Sequence, residues 1–283
     1  MTEKEKYKKR TDQAWDNLYA RLDNEGLLTG KVSGPSARSI ALKWSIAAAA
    51  VAILCVVLSV VYRIGTEEIT EHTLLTQQNK EVTTSLVTTL EDGSVVYLAG
   101  NTSLHYPEHF PADKREVSLQ GNALFDITGN RTRPFLIETE DVQIEVLGTA
   151  FNVKSDDKVP FELSVQRGEV KVTLKKSGQV VHVKAGETAS LQSKALHLSE
   201  TKDFGQFARY TEHIRFKDEK LGNILRVINL QTPDIRLQTV PALEGRTLTV
   251  TFSENTPEMM AELICLALNV QCTKENDTIT ISE

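Results

Sequence analysis

The longest unbroken apolar stretch runs from Trp44 to Tyr62, with no charge between Lys43 and Arg63 and only Ser45 and Ser59 as polar side chains. At 1.5 Å per residue, about 20 such residues span the ~30 Å hydrocarbon core of a bilayer. Only a helix satisfies its own backbone there. Trp44 and Tyr62 sit at the ends, where amphipathic rings favour the headgroup level. The pattern predicts a single transmembrane helix over 41–62. Upstream, Trp15, Leu18, Tyr19 and Leu22 recur at i, i+3, i+4 and i+7, the spacing of one helical face. Gly26, Gly30 and Ser33-Gly34-Pro35-Ser36 then interrupt the pattern and predict a tether.

Beyond the span, residues 63–80 are polar without a clear period and predict a linker. From Glu81 to Ser199 the period is two. Val142, Ile144 and Val146 alternate with polar neighbours, as do Val170, Val172 and Leu174. Asp92-Gly93, Gly100-Asn101, Arg167-Gly168, Ser177-Gly178 and Ala185-Gly186 punctuate the runs. Many short strands with glycine-bearing turns predict an all-β domain over 81–199, either a sandwich or a solenoid-like stack. Over 204–283 the period is mixed. Counted from Phe216 and again from Phe252, apolar residues coincide at +8, +11 and +12. A strand-turn-helix unit used twice predicts a small α+β domain of βαββαββ order. Thr256 caps the second helix and Pro257 occupies its first position; Asp218 is placed to cap the first.

Charge orients this plan. Residues 1–43 carry nine Lys/Arg against six Asp/Glu, whereas 63–283 carry twenty-three against thirty-two. Basic residues favour the cytoplasmic flank, so the N-terminus is expected inside and the C-terminus on the far side. The acidic outer portion argues against nucleic-acid binding. A forty-residue inner segment cannot bury Trp15 and Tyr19 within itself. Its apolar face either lies on the inner leaflet or folds onto a cytoplasmic protein.

No nucleophile-elbow, zinc-protease, dinucleotide or P-loop motif occurs, so no catalytic residue, metal or cofactor is assigned and an enzyme is the weaker class. His105 and His109 have the i, i+4 spacing of a helical metal pair, but Pro107 between them argues for loop residues. Cys265 and Cys272 can pair in an oxidising compartment.

Ordered blocks of residues carry a resemblance. Leu90-Glu91-Asp92-Gly93-Ser94-Val95-Val96-Tyr97-Leu98, Arg115-Glu116-Val117-Ser118-Leu119-Gln120-Gly121 with Ala123-Leu124-Phe125, Arg133-Pro134-Phe135-Leu136-Ile137, Val146-Leu147-Gly148-Thr149-Ala150-Phe151-Asn152-Val153, and Gly168-Glu169-Val170 with Ala185-Gly186-Glu187 resemble the FecR-type anti-sigma factor domain. Asn122 departs from the family's usual Glu, and the inner segment is shorter than is usual there. The segment after Tyr210 is similar to the short N-terminal domain of secretins and TonB-dependent transducers, as in the Bacteroidetes branch.

The resemblance implies a bacterial inner-membrane protein with a periplasmic C-terminus. It would relay a signal from the periplasmic signalling domain of an outer-membrane TonB-dependent transporter to a cytoplasmic extracytoplasmic-function sigma factor. The sigma-interacting segment is then 1–40, through Trp15, Leu18, Tyr19 and Leu22. The transporter domain is expected at sheet edges of the last domain, through Thr247, Leu248, Thr249, Val250, Thr251 and Phe252 or through Thr278, Ile279, Thr280 and Ile281. In some relatives the Gly-Thr bond of the fourth block cleaves itself, which brings Gly148-Thr149 into question; a tight bend between strands is the competing reading. A membrane-anchored periplasmic hydrolase, or a component of a secretin-like assembly, are the alternative functions.

Overall fold

The computed structural model describes residues 3–27, 55–56, 58–59, 73–156 and 159–283. The expected span 41–62 lies outside them, apart from Cys55, Val56, Leu58 and Ser59, which are helical and exposed. Among the described residues no helix is long and apolar enough to cross a membrane. The chain divides into two compact units, Met1–Thr70 and Glu71–Glu283.

In the first unit, α1 (Glu3–Asn24) is continuous, so the alternating Lys/Glu start is helical too. It stops where Gly26 takes φ +65°, with the Leu27 amide donating to the Leu22 carbonyl (3.0 Å) and the Gly26 amide to the Asp23 carbonyl (3.1 Å). These paired bonds satisfy carbonyls that a helix end would otherwise leave bare.

The second unit is mostly β. Its strands are β1 (Leu74–Asn79), β2 (Ser85–Thr89), β3 (Val95–Leu98), β4 (Thr102–Pro107), β5 (Arg115–Asp126), β6 (Phe135–Glu138), β7 (Val142–Val146), β8 (Ala150–Asp156), β9 (Val159–Arg167), β10 (Glu169–Leu174), β11 (Val180–Lys184), β12 (Glu187–Gln192) and β13 (Ala195–Glu200). Part of the expected linker 63–80 is therefore structured: β1 pairs antiparallel with β4, from Leu74 opposite Pro107 to Asn79 opposite Thr102. Asn79 is buried and donates to the carbonyls of Thr84 (2.7 Å) and Leu98 (2.9 Å), which fixes the strand's end. His105 also lies in a strand, β4, rather than a loop.

The strand β5 belongs to two sheets. Its first half joins β4 and β6 in the layer β1-β4-β5-β6-β7-β10-β11, and its second half joins β3 and β8 in the layer β13-β12-β9-β8-β5-β3-β2. The change of layer falls at Gly121, φ +108°. A Cβ there would lie 2.6 Å from the Thr102 hydroxyl, which the Asn122 amide and carbonyl both engage. Only glycine admits that backbone at that approach. Between the layers lies one apolar cluster, including Leu104, Phe125, Phe135, Ile144, Phe151 and Val172. The unit is thus mostly β, with a nearly closed sheet around that cluster.

The C-terminal part adds α2 (Gly205–Glu212), β14 (His213–Lys220), α3 (Leu221–Gln231), β15 (Arg236–Thr239), α4 (Pro241–Glu244), β16 (Thr247–Ser253), α5 (Pro257–Leu268), β17 (Gln271–Glu275) and β18 (Thr278–Ser282). Apart from α2 and α4 the order is βαββαββ. The twice-used unit is visible in the packing, where Phe216 and Phe252 meet edge-on at 6.2 Å and Ile224, Val227, Ile228, Met260 and Ile264 are buried. Leu263 breaks the correspondence and is exposed. Thr256 caps α5, accepting from the Met259 amide at 3.3 Å. Asp218 does not cap α3: it sits at φ +51° in a bulge of β14, its amide donating to the Thr249 hydroxyl at 2.9 Å, and Lys220 precedes the helix without a side-chain cap. Cys265 and Cys272 form a disulfide, Cα atoms 6.1 Å apart, between α5 and β17.

The two parts of the second unit share a sheet. The strand β14 pairs in parallel with β2, Ile214 to Phe216 opposite Ser85 to Val87, so the second layer continues into β14 and β16. The outward side chains of that layer, Val87, Val95, Tyr97 and Leu124, enter the C-terminal core.

Candidate functional site

The α1 residues expected to meet a partner are on one face and in water. Trp15, Leu18 and Tyr19 are 54%, 46% and 58% exposed, and Leu22 is half-buried. The Trp15 and Tyr19 rings lie 6.3 Å apart, tilted against each other. Arg21 and Glu25 form an i, i+4 pair at 3.7 Å, which contributes little at the surface. Such a face gains free energy only when something covers it.

Of the two strands expected as docking edges, one is an edge. The strand β16 ends the large sheet, pairing with β14 alone, so its second row of backbone groups is open. Thr278–Ile281 are not at an edge: β18 is the middle strand of the small sheet, parallel to β15 on one side and antiparallel to β17 on the other. Sequence reasoning erred there because the last strand of the chain need not be the last strand of the sheet. The open edge is β17, exposed at every position. The far edge of β15 is blocked by Asn229, whose side chain donates to the Leu237 carbonyl and accepts from the Leu237 amide, both at 2.8 Å. That side chain occupies the two groups an added strand would use.

Gly148 and Thr149 join β7 to β8 along a cleft of about 720 Å³. Gly148 has φ +154°, and a Cβ there would stand 2.6 Å from the Gly129 Cα. Thr149 is 2% exposed, and its hydroxyl is buried without a hydrogen-bond partner. Its carbonyl accepts from the Ile127 amide at 2.9 Å. The cleft wall holds His182, engaged with Glu169 at 2.9 Å, and Lys171, engaged with Glu145 at 2.8 Å. Nothing near Thr149 in sequence supplies a base; the register of β10 against β11 brings His182 to the same cleft.

Sequence reasoning quoted Asp92 and Arg115 but did not pair them. Arg115, 1% exposed, meets Asp92 at 2.6 Å and also donates to the carbonyls of Arg133 (3.0 Å) and Thr128 (2.9 Å). Its guanidinium lies 5.3 Å from the centre of the Phe135 ring. Asp92 additionally accepts from the Ser94 amide (3.0 Å) and hydroxyl (2.7 Å). The next residue carries the structure across to the C-terminal part: the Gly93 carbonyl accepts from Arg226 at 2.5 Å. Nearby, Gln231 donates to the Tyr97 hydroxyl at 3.1 Å, and burial pushes the Tyr97 phenol up to about 12. The Asp-Gly-Ser turn is thus the joint between both cores. Two blocks 23 residues apart in sequence carried that signal, but only folding shows that they touch.

Among the described residues no three His, Cys, Asp or Glu side chains gather to hold a metal ion. His109 instead bonds Glu91 at 2.8 Å.

With this geometry in hand, residues 73–171 match the FecR protein family. No curated protein matches the chain. Two crystal structures of candidate anti-sigma factors from Parabacteroides distasonis ATCC 8503 are similar to it. One is 20% identical with a TM-score of 0.45, covering 74% of this chain and 99% of the other. The second is 21% identical with a TM-score of 0.43, covering 74% of this chain and 98% of the other. Likenesses at that level add nothing about partners. The family match runs from β1 into β10 and takes in the Asp92–Arg115 pair and the Gly148-Thr149 bond: over residues 73–171 the chain carries a FecR domain.

Proposed function

We propose that the chain is a single-pass inner-membrane anti-sigma regulator. It holds an extracytoplasmic-function sigma factor through α1 in the cytoplasm and receives a signal in the periplasm from the signalling domain of a TonB-dependent transporter. The FecR match over 73–171 is the observation that carries this reading. The exposed aromatic face of α1 supports a cytoplasmic partner, since buried aromatic anchors dominate many such interfaces. The apolar run from Trp44 to Tyr62 supports the anchor, and the Cys265–Cys272 disulfide supports an oxidising compartment for the C-terminal part. The open edges of β16 and β17 are the surfaces offered to the transporter domain, whose strand would gain main-chain hydrogen bonds there. The protein acts by binding rather than by covalent chemistry.

Two measurements test this. Alkaline phosphatase fused at Gly34 should be inactive and at Glu283 active; activity at Gly34 alone would reverse the orientation. The full-length chain, tagged and recovered from membranes, should co-purify with a sigma factor. Trp15→Ala and Leu18→Ala should each weaken that capture by about 2 kcal/mol, or some thirtyfold. Undiminished capture in both would remove α1 from the interface. Undiminished capture with lost membrane association of residues 1–40 would instead place the helix on the inner leaflet.

A further inference from the structure

A second pocket, of about 650 Å³, lies between α3 and the blocked edge of β15 and has no part in the reading above. Two arginines line it. Arg226 is fastened by one guanidinium nitrogen to the Gly93 carbonyl at 2.5 Å, while its other terminal nitrogen is buried with no acceptor. Arg236 projects from β15, is exposed, and has no carboxylate partner among the described residues. The unpartnered nitrogen is closed to solvent, so Arg226 contributes its charge to the pocket while Arg236 contributes a free guanidinium. Asp92, the acid nearest in sequence to Gly93, is committed to Arg115. The phenol of Tyr97, which also feels the charge of Arg226, is held neutral by burial. The pocket is therefore lined by two arginines against the single carboxylate of Glu244, and the exposed guanidinium among them is that of Arg236.

We propose that this pocket binds the carboxylate side chain of an acidic peptide segment on a partner protein. Guanidinium groups recognise carboxylates through paired, charge-assisted hydrogen bonds. Recognition runs through side chains, because Asn229 already occupies the amide and carbonyl of Leu237 and prevents addition of a strand. Leu230, 56% exposed, lines the same pocket and supplies an apolar seat for the residue beside the acid. A free small acid would leave that seat unused, which is why a peptide is the occupant. Arg226, on the wall of this pocket, also holds the Asp-Gly-Ser turn through the Gly93 carbonyl. The inference is independent of the sigma-factor relay, and its failure leaves that reading standing.

The test uses the full-length chain in a nonionic detergent and an array of fluorescein-labelled hexapeptides. Each carries a central Glu or Asp flanked by one apolar residue, and each has its Gln or Asn counterpart. At least one acidic member should bind, with its amide counterpart about tenfold weaker or worse, as expected for loss of a charge-assisted pair. Arg236→Gln should weaken binding about fivefold without moving the thermal midpoint, since that side chain is exposed and supports nothing else. Leu230→Ser should weaken it as well. Acidic peptides that bind no better than their amides would overturn the proposal, as would undiminished binding by Arg236→Gln. Succinate displacing the peptide at equal concentration would reassign the pocket to a free carboxylate and overturn the peptide as occupant.

Discussion

Arg115 is a full charge at 1% exposure, and what makes it tolerable is the company it keeps: one carboxylate, two carbonyls and a ring face. Removing one partner of such a pair strands the other, at about 3–5 kcal/mol. A second pair at the residue scale is titratable. Glu91 bonds His109 through its hydrogen bond and raises the imidazole above its ordinary 6.5. For Glu91 itself burial raises the pKa, but the bonds from His109 and the Phe110 amide more than offset it, leaving the carboxyl below 4.5. The signs follow. The imidazole's contribution is complete below 6.5 and is lost as pH rises through its raised value; the carboxylate's is complete above 4.5 and is lost as pH falls through its lowered value. The pair is thus strongest from 4.5 to 6.5. Proton NMR should place the His109 midpoint above 6.5 in the native chain and nearer 6.5 in Glu91→Gln. An unmoved midpoint would assign the shift elsewhere. At Thr149 the packed bend beside Gly129 and Gly168 favours an intact chain. Mass spectrometry of the purified protein should find full-length chain predominant. A dominant fragment starting at Thr149, lost in Thr149→Ala, would show instead that the buried, unpartnered hydroxyl attacks the Gly148 carbonyl, displacing the Thr149 nitrogen to give an ester that water opens.

Among elements, α5 and β17 depend on each other unusually. Every residue of β17 is exposed, so the strand is held by β18 and by the bridge from Cys272 to Cys265 rather than by burial. A bridge across seven residues of sequence removes about 2–3 kcal/mol of loop entropy from the unfolded chain. The double substitution Cys265→Ala, Cys272→Ala should lower the urea midpoint accordingly and speed amide exchange first in β17. Uniform exchange with an unchanged midpoint would mean that the β18 ladder suffices.

At the scale of the whole second unit, the shared sheet couples the FecR domain to the last eighty or so residues. Val87, Val95, Tyr97 and Leu124 are buried in one cluster with Phe207 of α2 and Ile224, Leu225 and Ile228 of α3, beside β14, which extends their sheet. Each apolar side chain so covered is worth about 1.5–3 kcal/mol. Ending the chain at Asp203 should therefore lower the thermal midpoint of the FecR domain markedly and make it bind a hydrophobic dye. An unchanged midpoint would show that the domain stands alone. Substitutions at the β16 and β17 edges are consequently the sharper test of the proposed transporter contact, because a deletion also uncovers the face that carries Val87, Val95, Tyr97 and Leu124.

The sequence by itself determined the periodic elements. The alternation of Val142, Ile144 and Val146, the spacing from Phe216 and Phe252, and the Thr256-Pro257 helix start depend on neighbours within a few residues, and the structure contains all of them. It determined the FecR motifs too, since those blocks are local strings. Only the tertiary structure decided what lies between elements. The run Val95-Val96-Tyr97-Leu98 reads simply as apolar, yet alternate side chains enter two different cores. Asp218 has the right chemistry for a cap, but a bulge against Thr249 claims it. Thr278–Ile281 end the chain and still sit mid-sheet. Pairing partners, sheet edges and the meeting of Arg226 with the Asp-Gly-Ser turn are set by contacts between distant segments, and no local pattern encodes which distant segment will arrive.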